Sequence, residues 1–150
     1  MHALSNIFKL TSFTALIGWI ILAGFPAWEL ATDVVISIVV ALLCIAYAYL
    51  VFFGRKHDEP GHKVRGSFFT LKGIINLFKT PRVVLAGWIH YLAFDLMVGV
   101  YIVTDAAQYN ISQWLLLPCL FMTLMFGPAG LLIYLLLRFA ITQNYFVGIL

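Results

Sequence analysis

The stretch that decides the fold is Gly87–Ala106, GWIHYLAFDLMVGVYIVTDA. As a helix it is long and apolar enough to cross the hydrocarbon core of a bilayer, which is about 30 Å thick. It also carries His90 and Asp95 near its middle. Because a charged side chain at that depth costs at least about 2.5 kcal/mol, these two residues mark the first candidate functional site.

The composition of the whole chain indicates an integral membrane protein. Of the 150 residues, 63% are hydrophobic and only 10% are charged, and the mean hydropathy is +1.02. Soluble domains carry about 25% charged residues. The apolar runs are continuous rather than alternating, which favours helices over a barrel. We therefore expect an all-α protein with a single transmembrane domain over residues 1–150.

Four apolar segments predict a bundle of four transmembrane helices. They cover residues of about 10–25, 33–53, 83–103 and 112–137. The first resembles a signal peptide, with Lys9 before an apolar core, but we interpret it as a retained helix. Pro128 predicts a kink in the fourth segment. Small residues beside Pro128, at 127 and 129–130, predict close approach of another backbone.

A short amphipathic helix is expected between the second and third spans. Ser67 is a plausible N-cap, and Thr80 followed by Pro81 is a plausible stop signal. Large apolar residues recur there at helical spacing, and lysines lie on the other face: Phe68, Leu71, Ile75 and Phe78; Lys72 and Lys79. Such a helix either lies in the membrane interface with its lysines snorkelling or packs on the bundle.

The distribution of charge predicts the orientation of the spans. Seven of the nine Lys/Arg residues lie between Arg55 and Arg82. Such basic segments face the cytoplasm. With four spans, Lys9 and Arg138 fall on the same side as this segment, so both termini are expected to be cytoplasmic. The basic cluster is interrupted by acidic and apolar residues, which argues against a nucleic-acid partner.

No metal or other cofactor is expected. His57, Asp58, Glu59 and His62 could in principle bind a metal, but Pro60-Gly61 and the flanking basic residues favour a solvated turn. A haem with two histidine ligands would need a second chain, because each chain has one histidine at mid-membrane depth. The two cysteines, Cys44 and Cys119, lie within predicted spans and are expected to be buried structural thiols.

His90 and Asp95 are the candidate catalytic residues, although they lie on different flanks of one helix. They are about 7.5 Å apart along its axis. Asp95 shares a face with Trp88 and Tyr91, whereas His90 shares one with Tyr101. With no cation at that depth, desolvation favours the neutral Asp95 carboxyl, which suits a general acid acting on an apolar substrate. The alternative is that both residues form hydrogen bonds between helices.

Three segments resemble a known family. They are Gly66–Ile74 (GSFFTLKGI), Ala86–Gly99 (AGWIHYLAFDLMVG) and Leu124–Leu132 (LMFGPAGLL). They are similar to the abscisic-acid-deficient-4-like family of small four-helix membrane proteins. In plants, members of that family are required for the conversion of violaxanthin to neoxanthin.

The resemblance implies a carotenoid isomerase that converts an epoxide to an allenic alcohol. Such a reaction needs an acid at the epoxide oxygen and a base at a polyene C–H. The implied assignment is Asp95 as the acid and His90 as the base or its orienter. The expected substrate-binding residues are aromatic: Trp88, Tyr91, Phe94, Tyr101 and Phe126. The expected location is a bacterial inner membrane or a thylakoid-type photosynthetic membrane.

Two other functions remain open at this point. The first is a non-catalytic subunit that binds a carotenoid or another lipid in the bilayer, within a homo-oligomer or a larger membrane complex. The second is a transporter or channel. The second is disfavoured because the four short spans lack repeats and carry only one acidic residue at depth.

Overall fold

A computed structural model describes residues 2–25, 28, 30–58 and 66–144. All regular structure in these ranges is helical, which confirms the all-α prediction. The helices are α1 (His2–Gly24), α2 (Ala31–His57), α3 (Leu71–Leu77), α4 (Pro81–Gln108), α5 (Gln113–Phe126) and α6 (Pro128–Thr142). Within α2 the backbone widens to a π-helix at Val35–Val40 and Tyr49–Phe53 and ends in a 3-10 turn at Gly54–His57.

The long helix α4 lies at the centre and packs against α1, α2, α5 and α6. Helix α1 runs parallel to it. The Trp88 Nε1–H, near the start of α4, donates to Ser12 Oγ at 3.2 Å, and Gln113, just beyond its end, donates to the Ala23 carbonyl at 3.1 Å. Helix α2 runs antiparallel, since Arg82 on the first turn of α4 donates to the Leu50 carbonyl at 2.9 Å.

Among the described residues, three helices are long and apolar enough to cross a membrane: α1, α2 and α4. The first three predicted spans fall inside these three helices. A helix needs about 20 residues to cross a bilayer. Helices α5 and α6 have only 14 and 15 residues, so neither is long enough to cross alone.

The fourth predicted span, 112–137, is two helices rather than one, so the structure does not confirm a four-helix bundle. The expected kink at Pro128 is a complete break at Gly127, where the backbone has φ 45° and ψ −98°. Pro128 then begins α6. Proline suits the first position of a helix because it has a fixed φ and lacks an N–H, so it starts a helix here instead of bending one.

After the break, α6 folds back along α5. A continuous helix from Gln113 to Arg138 would separate these residues by about 37 Å. Instead, Arg138 Nη2–H donates to the Tyr109 hydroxyl, just before α5, at 2.8 Å. The close approach predicted for the small residues occurs inside this hairpin, where Gly130 packs directly on the backbone of Thr123.

This hairpin changes the expected placement of Lys9 and Arg138. Arg138 lies beside Asp105 near the end of α4, whereas Lys9 lies on α1 near the level of the start of α4. The sequence predicted both basic residues on one side. The structure places them toward opposite ends of the bundle, because α6 returns toward the end from which α5 departs.

The expected amphipathic helix is present as α3, but it is shorter than predicted. Its N-cap is Thr70 rather than Ser67, because the Thr70 hydroxyl accepts a hydrogen bond from the Gly73 N–H at 3.1 Å. The apolar residues predicted for one face are all exposed: Phe68, Leu71, Ile75 and Phe78. The described part of the bundle therefore does not cover this face, which disfavours the packed alternative.

The turn after α2 is held by an ion pair between Asp58 and Arg82. Arg82 binds both carboxylate oxygens of Asp58, with Nε 2.9 Å from Oδ1 and Nη2 2.9 Å from Oδ2. His57 Nε2 lies 3.0 Å from the Tyr49 hydroxyl. Of the four residues considered for a metal site, Glu59 and His62 lie outside the described residues.

The two cysteines differ in environment. Cys119 is buried, as expected for a structural thiol. Cys44 is exposed on the surface of α2, so its predicted burial is wrong. The apolar surface of α2 is wider than the strip that α4 covers, and Cys44 lies outside that strip.

Candidate functional site

Asp95 lies at mid-length of α4 and is buried, with 7% of its surface exposed. The tip of the α5–α6 hairpin covers it. A Cβ placed on Gly127 would lie 2.6 Å from Asp95 Oδ1 and 3.1 Å from both Cγ and Oδ2 of the same carboxyl group. Only glycine fits this position, because any side chain would collide with the carboxyl group and because L-residues rarely adopt a φ of +45°.

One oxygen of this carboxyl group is left without a partner. Asp95 Oδ2 is buried and has no hydrogen bond among the described residues. A buried polar atom without a partner costs about 1–3 kcal/mol, so it needs an explanation. The carboxyl also lies against Gly127, which directly precedes α6, so the positive end of the α6 dipole is close to it. An oxygen atom of a ligand would find both a carboxyl group and a positive field here.

An aromatic ladder extends from Asp95 toward the start of α4. Tyr91 lies one turn before Asp95 on α4, and its hydroxyl donates to the Leu124 carbonyl at 3.3 Å. Trp88 stacks on Tyr91 with 5.5 Å between ring centroids, and Phe8 of α1 follows at 5.9 Å from Trp88. The structure thus brings together three predicted site residues, Trp88, Tyr91 and Asp95, as their shared helix face requires.

His90 is not part of this cluster. Its ring is exposed and stacks on Phe94 at 4.4 Å, and it lies 5.7 Å from the ring of Tyr47 on α2. This agrees with the predicted separation of His90 and Asp95 on different flanks of the helix. Phe94 belongs with His90, whereas Phe126, at the end of α5, is exposed. The structure therefore places Asp95 and His90, the two predicted catalytic residues, on different faces of α4.

Tyr101 belongs to a second buried cluster, near the end of α4. Its ring lies 6.2 Å from the ring of Tyr134, with an edge-on geometry. Tyr134 donates a hydrogen bond to Asp105, and Arg138 Nε lies 2.8 Å from Asp105 Oδ2. Arg138 also lies over the ring of Tyr109, with its guanidinium carbon 4.5 Å from the ring centroid.

This second cluster was missed by the sequence reasoning. Asp105 and Arg138 lie just outside the predicted spans 83–103 and 112–137. The usable signal was spacing, because Asp105 and Tyr109 are four residues apart on one helix, as are Tyr134 and Arg138 on another. Side chains with this spacing share a helix face. Two such polar pairs in apolar segments indicate two helices that pack at the same level.

The chemistry available at Asp95 is proton transfer to or from an oxygen atom in an apolar environment. Among the described residues, no group of His, Cys, Asp and Glu side chains is arranged to hold a metal ion. Asp95 is the only acidic side chain in the middle of the described helices, and Tyr91 lies one turn before it on the same helix. These features suit general acid–base chemistry.

A comparison with protein families identifies the family of this chain. The family described as ABA DEFICIENT 4-like matches residues 6–134, which is most of the chain. The matched range includes most of α1, all of α2 to α5 and the break at Gly127. No curated protein and no solved structure matches the chain.

Proposed function

Since the chain belongs to the ABA DEFICIENT 4-like family, we propose that it is a multi-pass membrane protein that binds an epoxy-carotenoid and isomerises it to an allenic alcohol. The observation that carries this proposal is the buried Asp95 carboxyl, whose Oδ2 has no partner and which faces the break between α5 and α6. In this proposal, Asp95 is the group that exchanges protons with the substrate.

The membrane assignment rests on the surface of the helices. Three helices have the length and composition of membrane spans, and many large apolar side chains point outward from them, such as Phe13, Ile45 and Phe52. Helix α3 then lies in the interface, with its exposed apolar face in lipid and its lysines in water. The basic segment between α2 and α4 faces the cytoplasm, and the end of α6 lies on the opposite side.

The reaction requires no oxidant or reductant. The protonated Asp95 carboxyl donates its proton to the epoxide oxygen, and the bond from that oxygen to the carbon next to the polyene breaks. The resulting carboxylate removes the proton from the adjacent polyene carbon, and the electrons of that C–H bond complete the two cumulated double bonds. The acid is regenerated, and the product is an isomer of the substrate.

A single carboxyl group suffices for both proton transfers, because the carboxylate that remains after the first transfer is the base for the second. Its buried Oδ2 has no hydrogen-bond partner among the described residues, so in this proposal Oδ2 meets the substrate. The positive end of α6 stabilises negative charge that develops on the substrate oxygen or on the carboxylate. His90 takes no part in this scheme as a base, since its ring stacks on Phe94 on the other flank of α4.

The proposal is tested by pigment analysis in a host that produces violaxanthin. Wild-type protein is compared with Asp95→Asn, which keeps the size of the side chain but cannot act as an acid. Asp33→Asn, at an exposed aspartate on the first turn of α2, is the matched control. We expect Asp95→Asn to reduce the allenic product at least about 100-fold, the usual minimum contribution of a general acid or base.

The opposite results are equally informative. Unchanged product with Asp95→Asn, at normal protein levels, would overturn the assignment of Asp95. If both proteins purify with the same chemically unaltered carotenoid, the chain is a pigment-binding protein and not an isomerase.

A further inference from the structure

A groove separates the first turns of α1 from the start of α4, away from Asp95. Its volume is about 670 Å³, within the range of about 300–1,000 Å³ that is typical of ligand sites. Apolar side chains form most of its wall, including Phe8 from α1 and Val84 and Leu85 from α4. No role for this groove follows from the proton chemistry at Asp95.

The polar residues of the groove lie at one end. His2 and Ser5 come from the first turns of α1, and Lys79 precedes α4. Because α1 and α4 are parallel, these residues gather at the same end of the bundle. Trp88 lines the groove at the end nearer to Asp95. The groove therefore suits a ligand that is apolar over most of its length and carries a hydrogen-bonding group at its end.

Trp88 connects this groove to Asp95. Its ring lines the groove and also stacks on Tyr91, which lies one turn before Asp95 on the same face of α4. The groove residue Val84 lies on the same stripe of α4, because these positions are three or four residues apart. From Pro81 to Asp95 this stripe is about 21 Å long. A molecule long enough to span the hydrocarbon core, which is about 30 Å thick, can therefore reach from the polar end of the groove to Asp95.

We propose that the groove binds the distal, hydroxylated end ring of the same carotenoid whose other end reacts at Asp95. This inference rests on the proposed function. The ring and the adjoining polyene lie between Phe8 and Val84, and the ring hydroxyl meets Ser5 and Lys79 at the polar end. The groove thus fixes the distance from the bound end to the reacting end, and it selects long carotenoids with a hydroxyl group on the distal ring.

The experiment uses purified full-length protein in phosphatidylcholine vesicles that contain violaxanthin. Val84→Trp fills the groove, and Val51→Trp is the matched control, at an exposed valine of α2 that does not line it. Two quantities are measured, the violaxanthin retained per protein and the rate of product formation. We expect Val84→Trp to raise KM about tenfold with kcat within about twofold, because the groove contributes binding that substrate and transition state share. Val51→Trp should behave as wild type.

The outcomes separate this inference from the proposed function. If Val84→Trp matches wild type in both quantities while Asp95→Asn loses product, the isomerase stands and the groove proposal fails, with membrane lipid filling the groove. If wild type retains violaxanthin without turnover and Val84→Trp reduces its retention, the groove proposal stands and the isomerase fails. A wild-type protein that retains no violaxanthin and forms no product overturns both.

A second measurement tests the proposal without the Val84→Trp variant, in case that variant does not fold. Val84→Cys, in a Cys44→Ala background, is labelled with a maleimide in the same vesicles. Violaxanthin should slow labelling at least about fivefold, whereas β-carotene, which lacks the hydroxyl groups, should slow it less. Equal labelling rates with and without violaxanthin would overturn the proposal.

Discussion

The carboxyl group of Asp95 lies directly against Gly127, the residue that separates the two half-length helices α5 and α6. The site and the helix break are therefore one structural feature. Asp95 is the only carboxyl group at mid-length of the described helices. A side chain at Gly127 would change the contacts of this carboxyl group, and so would a shift of α6. Four predictions follow from this arrangement and from the contacts that maintain it.

Gly127→Ala should impair both folding and activity. The added Cβ would lie 2.6 Å from Asp95 Oδ1, and the residue would keep a φ of +45°. Backbone strain of this kind costs about 1–3 kcal/mol. Gly24→Ala is the control, because its Cβ would have no neighbouring atom within 4 Å. Thermal unfolding in detergent should show a lower midpoint for Gly127→Ala only. Equal midpoints for the two variants would show that Asp95 and Gly127 are not in contact.

Arg138→Met should destabilise the hairpin strongly. Arg138 is 1% exposed, and its ion pair with Asp105 is buried. Removing one partner leaves an uncompensated buried charge, which costs about 3–5 kcal/mol. The double variant Asp105→Leu/Arg138→Met should recover much of this loss, because it removes both charges. Arg55→Met, at an exposed arginine, is the control.

The readout for this pair is the free energy of unfolding, measured in detergent with a chemical denaturant. A single Arg138→Met variant no less stable than Arg55→Met would contradict the buried ion pair. The double variant provides a second test. If its free energy of unfolding is lower than that of Arg138→Met by the full effect of an independent Asp105→Leu substitution, the buried ion pair is also contradicted.

Labelling of single cysteines should show that α6 returns to the side from which α5 departs. In sealed vesicles and a Cys44→Ala background, Gln108→Cys and Gln143→Cys should react with an impermeant thiol reagent from the same side. Arg55→Cys should react from the opposite side. All three positions are exposed. Labelling of Gln143→Cys together with Arg55→Cys would instead indicate a fourth complete span.

His90→Phe should leave product formation within about twofold of wild type. Its ring is exposed and stacks on Phe94 and Tyr47, and phenylalanine preserves these ring contacts. His90 lies on a different flank of α4 from Asp95, so its substitution removes no interaction made in the proposed transition state. The same pigment analysis as for Asp95→Asn provides the measurement. A loss of product comparable to that of Asp95→Asn would restore His90 as a catalytic base.

The sequence-based predictions agree best with the structure for features that depend on residues close together in the chain. The first three predicted spans and the amphipathic segment follow from apolar runs and helical spacing, and all are helical in the structure. The separation of His90 from Asp95 follows from the 100° rotation per residue of one helix. The exposure of Cys44 was not predictable in this way, because it depends on which strip of α2 another helix covers.

The sequence by itself determined that the chain is helical and apolar, that α4 carries the one acidic residue at mid-length, and that Trp88 and Tyr91 share its face. These properties arise from composition and from the periodicity of a single helix. Only the tertiary structure decided that residues 113–142 form a hairpin. Gly127-Pro128 is compatible with either a kink or a full reversal. The choice is made by contacts between residues distant in the chain, Arg138 with Asp105 and Gly130 with Thr123, which form only when α6 lies back along α5.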